Sequence, residues 1–221
     1  MGTKKSDLTK KKILDAARDQ FSQKGLYGAR VDEIASQANI NKRMLYEYFG
    51  NKEDLYQIVL ESVYDSLNEQ EALVFSDPIE CIPAFRQIIS MYFRFLQNNE
   101  AFVRMLMWEN LQGARHLNHD AFGGIRDVMV QSISSLLETG KKDGIIRKDA
   151  DDEQVVLTLI SCCFNYFSNI HTLSKVLHTD LSSEDNILRR IEHVTRMVLQ
   201  YIVRDGVNIE ACLAAESSLS D

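Results

Sequence analysis

The chain has little of what breaks helices. Its 221 residues include two prolines, Pro78 and Pro83, and ten glycines. A sandwich or barrel of short strands needs turn residues at every reversal, and so few of them exclude one. No sustained period-two alternation of apolar and polar residues is present either. The four cysteines, Cys81, Cys162, Cys163 and Cys212, form no CxxC pair, and no histidine stands at zinc-finger spacing from them. Free thiols in a reducing compartment are the expected state, with a redox role for Cys162 and Cys163 the lesser alternative. No run reaches the roughly 20 apolar residues that span a bilayer, and no apolar stretch follows the N-terminal lysines as in a signal peptide. A cytoplasmic chain with no membrane partner is expected. Motifs for enzyme chemistry are also missing: there is no P-loop, nucleophile elbow or HExxH. The five histidines are scattered. Neither catalysis, nor a metal site, nor a cofactor is implied.

What remains is a helical composition, 45% apolar and 26% charged, with an uneven distribution of charge. Residues 1–52 carry 11 Lys+Arg against 6 Asp+Glu, a net of +5, and the remainder carries 14 against 26, a net of −12. A basic head on an acidic body suits phosphate binding by the head alone. A basic tail serving solubility is the plainer alternative.

Residues 30–56 are the most informative. Val31, Ile34, Ala35 and Ala38 put one apolar face on a helix of about two turns. Asp32 and Glu33 complement its N-terminus. Arg30 stands where a cap is expected and has no capping oxygen. Asn39 tolerates a left-handed stop, Ile40 plugs the turn, and Asn41 suits the next N-cap. The following helix, Lys42 to about Tyr48, has Leu45 and Phe49 as its anchors. Lys42, Arg43, Met44, Tyr46, Glu47 and Tyr48 then face outward. Gly50 and Asn51 end it, and Asn51 caps a helix beginning at Lys52. Helix, tight turn, helix is the device that places side chains in the major groove. Spacing alone fits an ordinary helical hairpin equally well.

Many positions match a known pattern at fixed offsets. They are Ile13, Ala16, Ala17 and Phe21, then Gly25 and Gly28, then Val31, Ile34, Ala35, Ala38 and Ile40. The Leu45-Tyr46-x-Tyr48-Phe49 block and Lys52-Glu53-x-Leu55-Tyr56 complete it. From about Thr9 to Tyr56 the chain resembles the TetR family of bacterial transcriptional regulators. The family's Thr or Ser before the second helix is Arg30 here. Its small Gly-Thr pair early in the reading helix is Arg43-Met44. The second departure alters which DNA sequence is read.

The resemblance implies an all-α fold of about nine helices. Residues 1–52 form a three-helix helix-turn-helix DNA-binding domain, and residues 53–221 a helical effector-binding and dimerisation domain. It implies a homodimer through the last two long helices, on a pseudo-palindromic operator in double-stranded DNA, released by a small, largely apolar or aromatic effector. An effector-free architectural or protein-partnered DNA-binding factor is the alternative. Arg43, with Lys42, Met44 and Tyr46, would face bases. Thr9, Lys10, Arg30, Asn41, Tyr48 and Lys52 complete the expected DNA face. Helices are expected over 9–24 (Thr9 as N-cap), 52–68, 79–98, 101–111, 122–138, 153–177 and 184–205. A loop is expected over 140–152 and a frayed end over 206–221. The aromatic-rich body supplies effector candidates: Tyr92, Phe95, Met105, Trp108, Phe122, Phe164, Asn165, Phe167 and His171. Asn165 interrupts the apolar run 155–167, so a buried amide is expected there, either satisfied by the structure or poised for a ligand. Trp108 beside Glu109 suits a cationic ligand or, more plainly, a helix-surface pair, and His171 is either a switchable charge or, more plainly, a satisfied or solvent-facing histidine.

Overall fold

The computed structural model describes residues 2–74, 80–117 and 119–217, with side chains described for residues 6–74, 80–117 and 130–214. The backbone is α-helical in eleven segments: α1 (Gly2–Gly28), α2 (Val31–Gln37), α3 (Lys42–Phe49), α4 (Lys52–Val74), α5 (Cys81–Asn98), α6 (Glu100–Leu111), α7 (His119–Lys142), α8 (Asp152–Ser168), α9 (Ile170–Val176), α10 (Glu184–Ile202) and α11 (Ile209–Ser217). The one β-type pairing among described residues is an isolated antiparallel bridge between Ile146 and Val203. Among these residues no helix is long and apolar enough to cross a membrane.

Close contacts divide the chain into two compact units. The first holds residues 1–66 and 99–123, the second residues 67–98 and 124–221. Helix α6 joins the first unit because it packs directly on α1. The core of the first unit is Ile13, Ala17 and Phe21 of α1, Ile34 of α2, Leu45 of α3, Leu55, Tyr56, Val59 and Leu60 of α4, and Met105 of α6. The side chain of Trp108 crosses α1, and its indole Nε1 donates to the Ser22 carbonyl at 3.2 Å. It passes over Gly25, where an added Cβ would sit 2.8 Å from the ring. Gly25 also has φ 65°, so the helix breaks there as expected.

Glu109, 1% exposed, is the polar hub of the first unit. It accepts from the Tyr56 hydroxyl at 2.7 Å and the His116 backbone N–H at 3.1 Å, and His116 Nδ1 lies 3.0 Å away. Burial first, then the Glu109 hydrogen bond, drives the Tyr56 phenol well above its ordinary value. Tyr56 also packs edge-on against Phe21 at 5.0 Å.

In the second unit α5 is central, packing against α8, α10 and α11. Its inner face is Phe85, Ile88, Ile89, Tyr92, Phe93 and Leu96, facing Val155, Leu159 and Cys163 of α8 and Ile187, Val194, Val198 and Ile202 of α10. Phe93, Tyr166 and Phe167 form a ring cluster with centroids 5.3–5.6 Å apart. Gly140 lets α7 approach closely, because a Cβ there would lie 2.4 Å from Ile146 and 2.8 Å from the Cys81 sulfur.

Several expected boundaries shift. The first helix begins at Gly2, so Thr9 lies inside it and caps nothing. The region 153–177 is two helices, because α8 ends at Ser168 and the Asn169 side chain donates to the Asn165 carbonyl at 3.2 Å and to Ser168. The loop after α7 starts at Asp143. Residues 209–217 are helical, with the Asn208 side chain accepting from Ala211 N–H at 3.1 Å.

Candidate DNA interface and the body's polar sites

The reading helix α3 is short and weakly apolar, so it is held by few contacts. Leu45 is 0% and Phe49 8% exposed, four residues apart, and they tie it to the first unit. Asn41 caps it, its Oδ1 accepting from Arg43 N–H at 2.8 Å. Asn39 takes φ 52° in the turn before it, and Ile40 is half-buried with its N–H donating to the Ala35 carbonyl at 3.0 Å. Arg30 precedes α2 and makes no side-chain cap, as its chemistry requires. At the far end the Asn51 side chain accepts from Asp54 N–H at 2.8 Å while Asp54 accepts from Asn51 N–H at 3.1 Å, a reciprocal cap for α4.

The outward side of α3 is cationic and aromatic. Lys42, Arg43 and Tyr46 are exposed, and Met44 and Tyr48 half-buried. The Arg43 side chain, 85% exposed, reaches Glu47 at 2.8 Å one turn on. Lys42 Nζ is 2.8 Å from Asp32. That hydrogen bond holds the Asp32 carboxyl below its ordinary range and holds the Lys42 proton more tightly. Lys10 lies 5.8 Å from the Tyr48 ring centroid, so α1 contributes a cation to the same side. Thr9, Ser36, Asn39, Asn41 and Met44 line one open concavity. Lys52 is half-buried and its Nζ donates to the Ala29 carbonyl at 3.3 Å, which makes it a brace between α4 and the turn before α2.

The expected effector residues fall in both units. Trp108 and Met105 belong to the first unit, where both pack its core. The Trp108 face is spent on Gly25 of α1. Phe122 lies outside the residues whose side chains are described. Asn165 is exposed, not buried, because the inward stripe of α8 is Val155, Val156, Leu159, Cys163 and Tyr166. His171 is exposed on α9. Tyr92 and Phe95 are buried on α5, with Phe164 and Phe167 half-buried on α8.

A buried carboxylate, Glu71, stands in the second unit. Leu55, Val59, Val63, Leu67 and Glu71 recur at every fourth position of α4, and Glu71 is as buried as the others, at 1%. The Tyr92 hydroxyl donates to Glu71 Oε1. Glu71 Oε2 is buried with no hydrogen-bond partner among the described residues, and so is Asn68 Oδ1 one turn earlier. Burial raises the Glu71 carboxyl above its ordinary range, against the lowering effect of Tyr92. The sequence signal was a carboxylate falling in phase with an apolar stripe. All four cysteines are free, and burial pushes Cys81 up to about 11 and Cys163 up to about 12, which disfavours the thiolate at these two.

An all-α chain with a capped, outward-facing cationic helix after a tight left-handed turn is a helix-turn-helix DNA-binding regulator. Residues 13–59 match the family model of bacterial regulatory proteins of the tetR family, and residues 82–198 match the tetracyclin repressor-like C-terminal domain. The chain belongs to the TetR family. It is 34% identical over 188 residues to the HTH-type transcriptional repressor NicS of Pseudomonas putida, covering 81% of this chain and 85% of that protein. It is 26% identical over 193 residues to the HTH-type transcriptional regulator RutR of Escherichia coli, covering 87% and 90%. In fold it is similar to a TetR transcriptional regulator from Chloroflexus aurantiacus, with a TM-score of 0.71 at 15% identity over 90% of this chain and 98% of that one.

Proposed function

We propose that this DNA-binding transcription regulator is a homodimeric repressor that a small effector releases from a pseudo-palindromic operator. The observation that carries the reading is the outward cationic face of α3, whose buried anchors are Leu45 and Phe49. Arg43 is the principal base-reading residue, with Lys42, Met44 and Tyr46 beside it. Arg suits the O6 and N7 edge of guanine, and Met a thymine methyl. Thr9, Lys10, Arg30, Asn41 and Tyr48 serve the phosphates, which position without specifying. Lys52 supports this face through its Ala29 contact. Functionally, residues 1–52 are the DNA-binding head and residues 53–221 the effector-binding and dimerising body.

The dimer reading is supported by apolar side chains that one chain leaves exposed. On α8 these are Leu157 at 55% and Ile160 at 44%, and on α10 Leu188 at 48%, Met197 at 38% and Tyr201 at 48%. Two helices per subunit bearing such residues suit a four-helix seam about a twofold axis. Two heads about 34–36 Å apart then meet successive major grooves.

A mobility-shift titration against the DNA upstream of the protein's own gene tests the reading. The wild type binds and the Arg43→Ala, Tyr48→Ala double variant does not. Undiminished binding by that variant refutes this interface. Sedimentation of the Leu157→Asp, Ile160→Asp variant tests the seam: the expected outcome is a monomer with weakened operator binding, and an intact dimer refutes it.

A further inference from the structure

Glu71 and Asn68 pose a chemical question that the fold alone leaves unanswered. A buried acceptor without a donor loses its hydration with nothing in return, the more so when charged, so a native structure keeps one for a reason. Here two acceptors, Glu71 Oε2 and Asn68 Oδ1, stand one turn apart on α4, buried and with no donor among the described residues. No Lys, Arg or His among the described residues forms an ion pair with Glu71, although twelve ion pairs form elsewhere. The Tyr92 hydroxyl occupies Oε1 and so fixes the carboxyl with its other oxygen free. Tyr92, which makes that bond, belongs to the buried aromatic set of α5 with Phe93 and Phe95.

We propose that Glu71, with Asn68, receives the N–H donors of the effector, a small aromatic nitrogen compound, and that Tyr92 positions the carboxyl for it. The inference rests on the effector-responsive reading above and adds the ligand's chemical class. A ligand with acceptors only, such as a carboxylate, meets two more acceptors there and is repelled. The net charge of −12 on residues 53–221 acts in the same direction, drawing cations and excluding anions. Either a protonated amine or a neutral primary amide supplies the required donor. An ammonium also neutralises the buried carboxylate, whose desolvation is otherwise unrepaid.

The test uses the full-length chain and two matched series, followed by thermal shift and titration calorimetry. The first is phenethylamine, phenylacetamide, N,N-dimethylphenylacetamide and phenylacetate; the second is the corresponding indole compounds. The expected result is that amine and primary amide bind while tertiary amide and carboxylate do not. The amine is expected to bind more tightly than the primary amide, because its charge pairs with the carboxylate. Glu71→Gln weakens the amine at least about tenfold, and Tyr92→Phe weakens it less. Should Glu71→Gln not fold, Asn68→Leu, which removes the second acceptor, is expected to weaken both donors. The inference is overturned if phenylacetate or the tertiary amide binds as tightly as the donors, if no donor compound binds, or if Glu71→Gln or, in its place, Asn68→Leu leaves donor affinity unchanged. Operator binding by the unliganded wild type is measured alongside. Its absence refutes the regulator reading and leaves the ligand result standing. Donors that bind through Glu71 without releasing the operator uphold the site and overturn its role as effector site.

Discussion

Replacing Arg43 with alanine removes the one guanidinium that α3 holds away from the protein. Its side chain is 85% exposed, and its single partner, Glu47, is itself 58% exposed. Water replaces such a pair at little cost, so Arg43 is free to leave it for DNA. Stability should therefore barely change, whereas the DNA effect depends on what Arg43 touches. A bidentate contact to guanine contributes about 1–3 kcal/mol of discrimination. At one decade per 1.4 kcal/mol this is about 5- to 150-fold per head. Two heads on one operator double the free energy. Fluorescence anisotropy with an operator duplex and its single-base variants, at several salt concentrations, measures both the loss and its sequence dependence. The expected pattern is a large loss on the operator, a small loss on unrelated DNA, and a relaxed preference at one base pair per half-site. A uniform loss across sequences, with the salt slope lower by about one per head, would reassign Arg43 to phosphate. Equal affinities for variant and wild type at all salts refute the assignment of α3 as the reader. Glu47→Gln is the complementary perturbation: freeing Arg43 should leave binding unchanged or tighter.

Asn41→Ala removes the α3 cap, whose oxygen accepts from Arg43 N–H at 2.8 Å. A loss of about 1 kcal/mol is expected in chemical denaturation, with Asn41→Ser retaining most of the stability. Gly25→Ala places a Cβ 2.8 Å from Trp108 at φ 65°. Strain and overpacking together should cost about 2–4 kcal/mol, and an unchanged denaturation midpoint would refute the Trp108 packing described above. Glu71→Gln should change how stability depends on pH. The folded carboxyl is raised by burial, so the folded state binds more protons than the unfolded one between the two values. Glu71's contribution is then fully present below the unfolded carboxyl range and is lost as pH rises through the folded value. The variant should lack that fall and be more stable than wild type at neutral pH. Parallel pH profiles for the two proteins, from denaturation in urea, would contradict it.

The head was legible because its constraints are local. A left-handed Asn39, a capping Asn41 and anchors at Leu45 and Phe49 lie within eleven residues, and each acts through neighbours in sequence. The start of α1 was misplaced because Thr9 resembles a cap while Gly2–Leu8 carries no stop signal against helix. The break at Asn169 carries no Gly or Pro; it comes from Ser and Asn side chains competing for backbone groups, which spacing does not reveal. The second unit's boundary depends on α6 packing against α1, a long-range contact through Trp108 that nothing near Trp108 in the chain announces.

Asn165 and Glu71 make the sharper comparison. Both are polar residues beside apolar neighbours, and burial is what gives such a residue a role. Asn165 drew notice because the run around it, 155–167, is apolar on every side of the helix, but such a run does not say which side faces in. Its neighbours Val155, Val156, Leu159, Cys163 and Tyr166 take the inward stripe, and Asn165 is left outside. On α4 the stripe is defined, and Leu55, Val59, Val63 and Leu67 project to Glu71 at the next step of four. A polar residue in phase with a narrow stripe has its orientation set by its neighbours, whereas one inside a broad apolar band does not. Periodicity therefore locates a buried charge better than local hydrophobicity does, and in this chain it leads to the one carboxylate oxygen among the described residues that is buried with no donor.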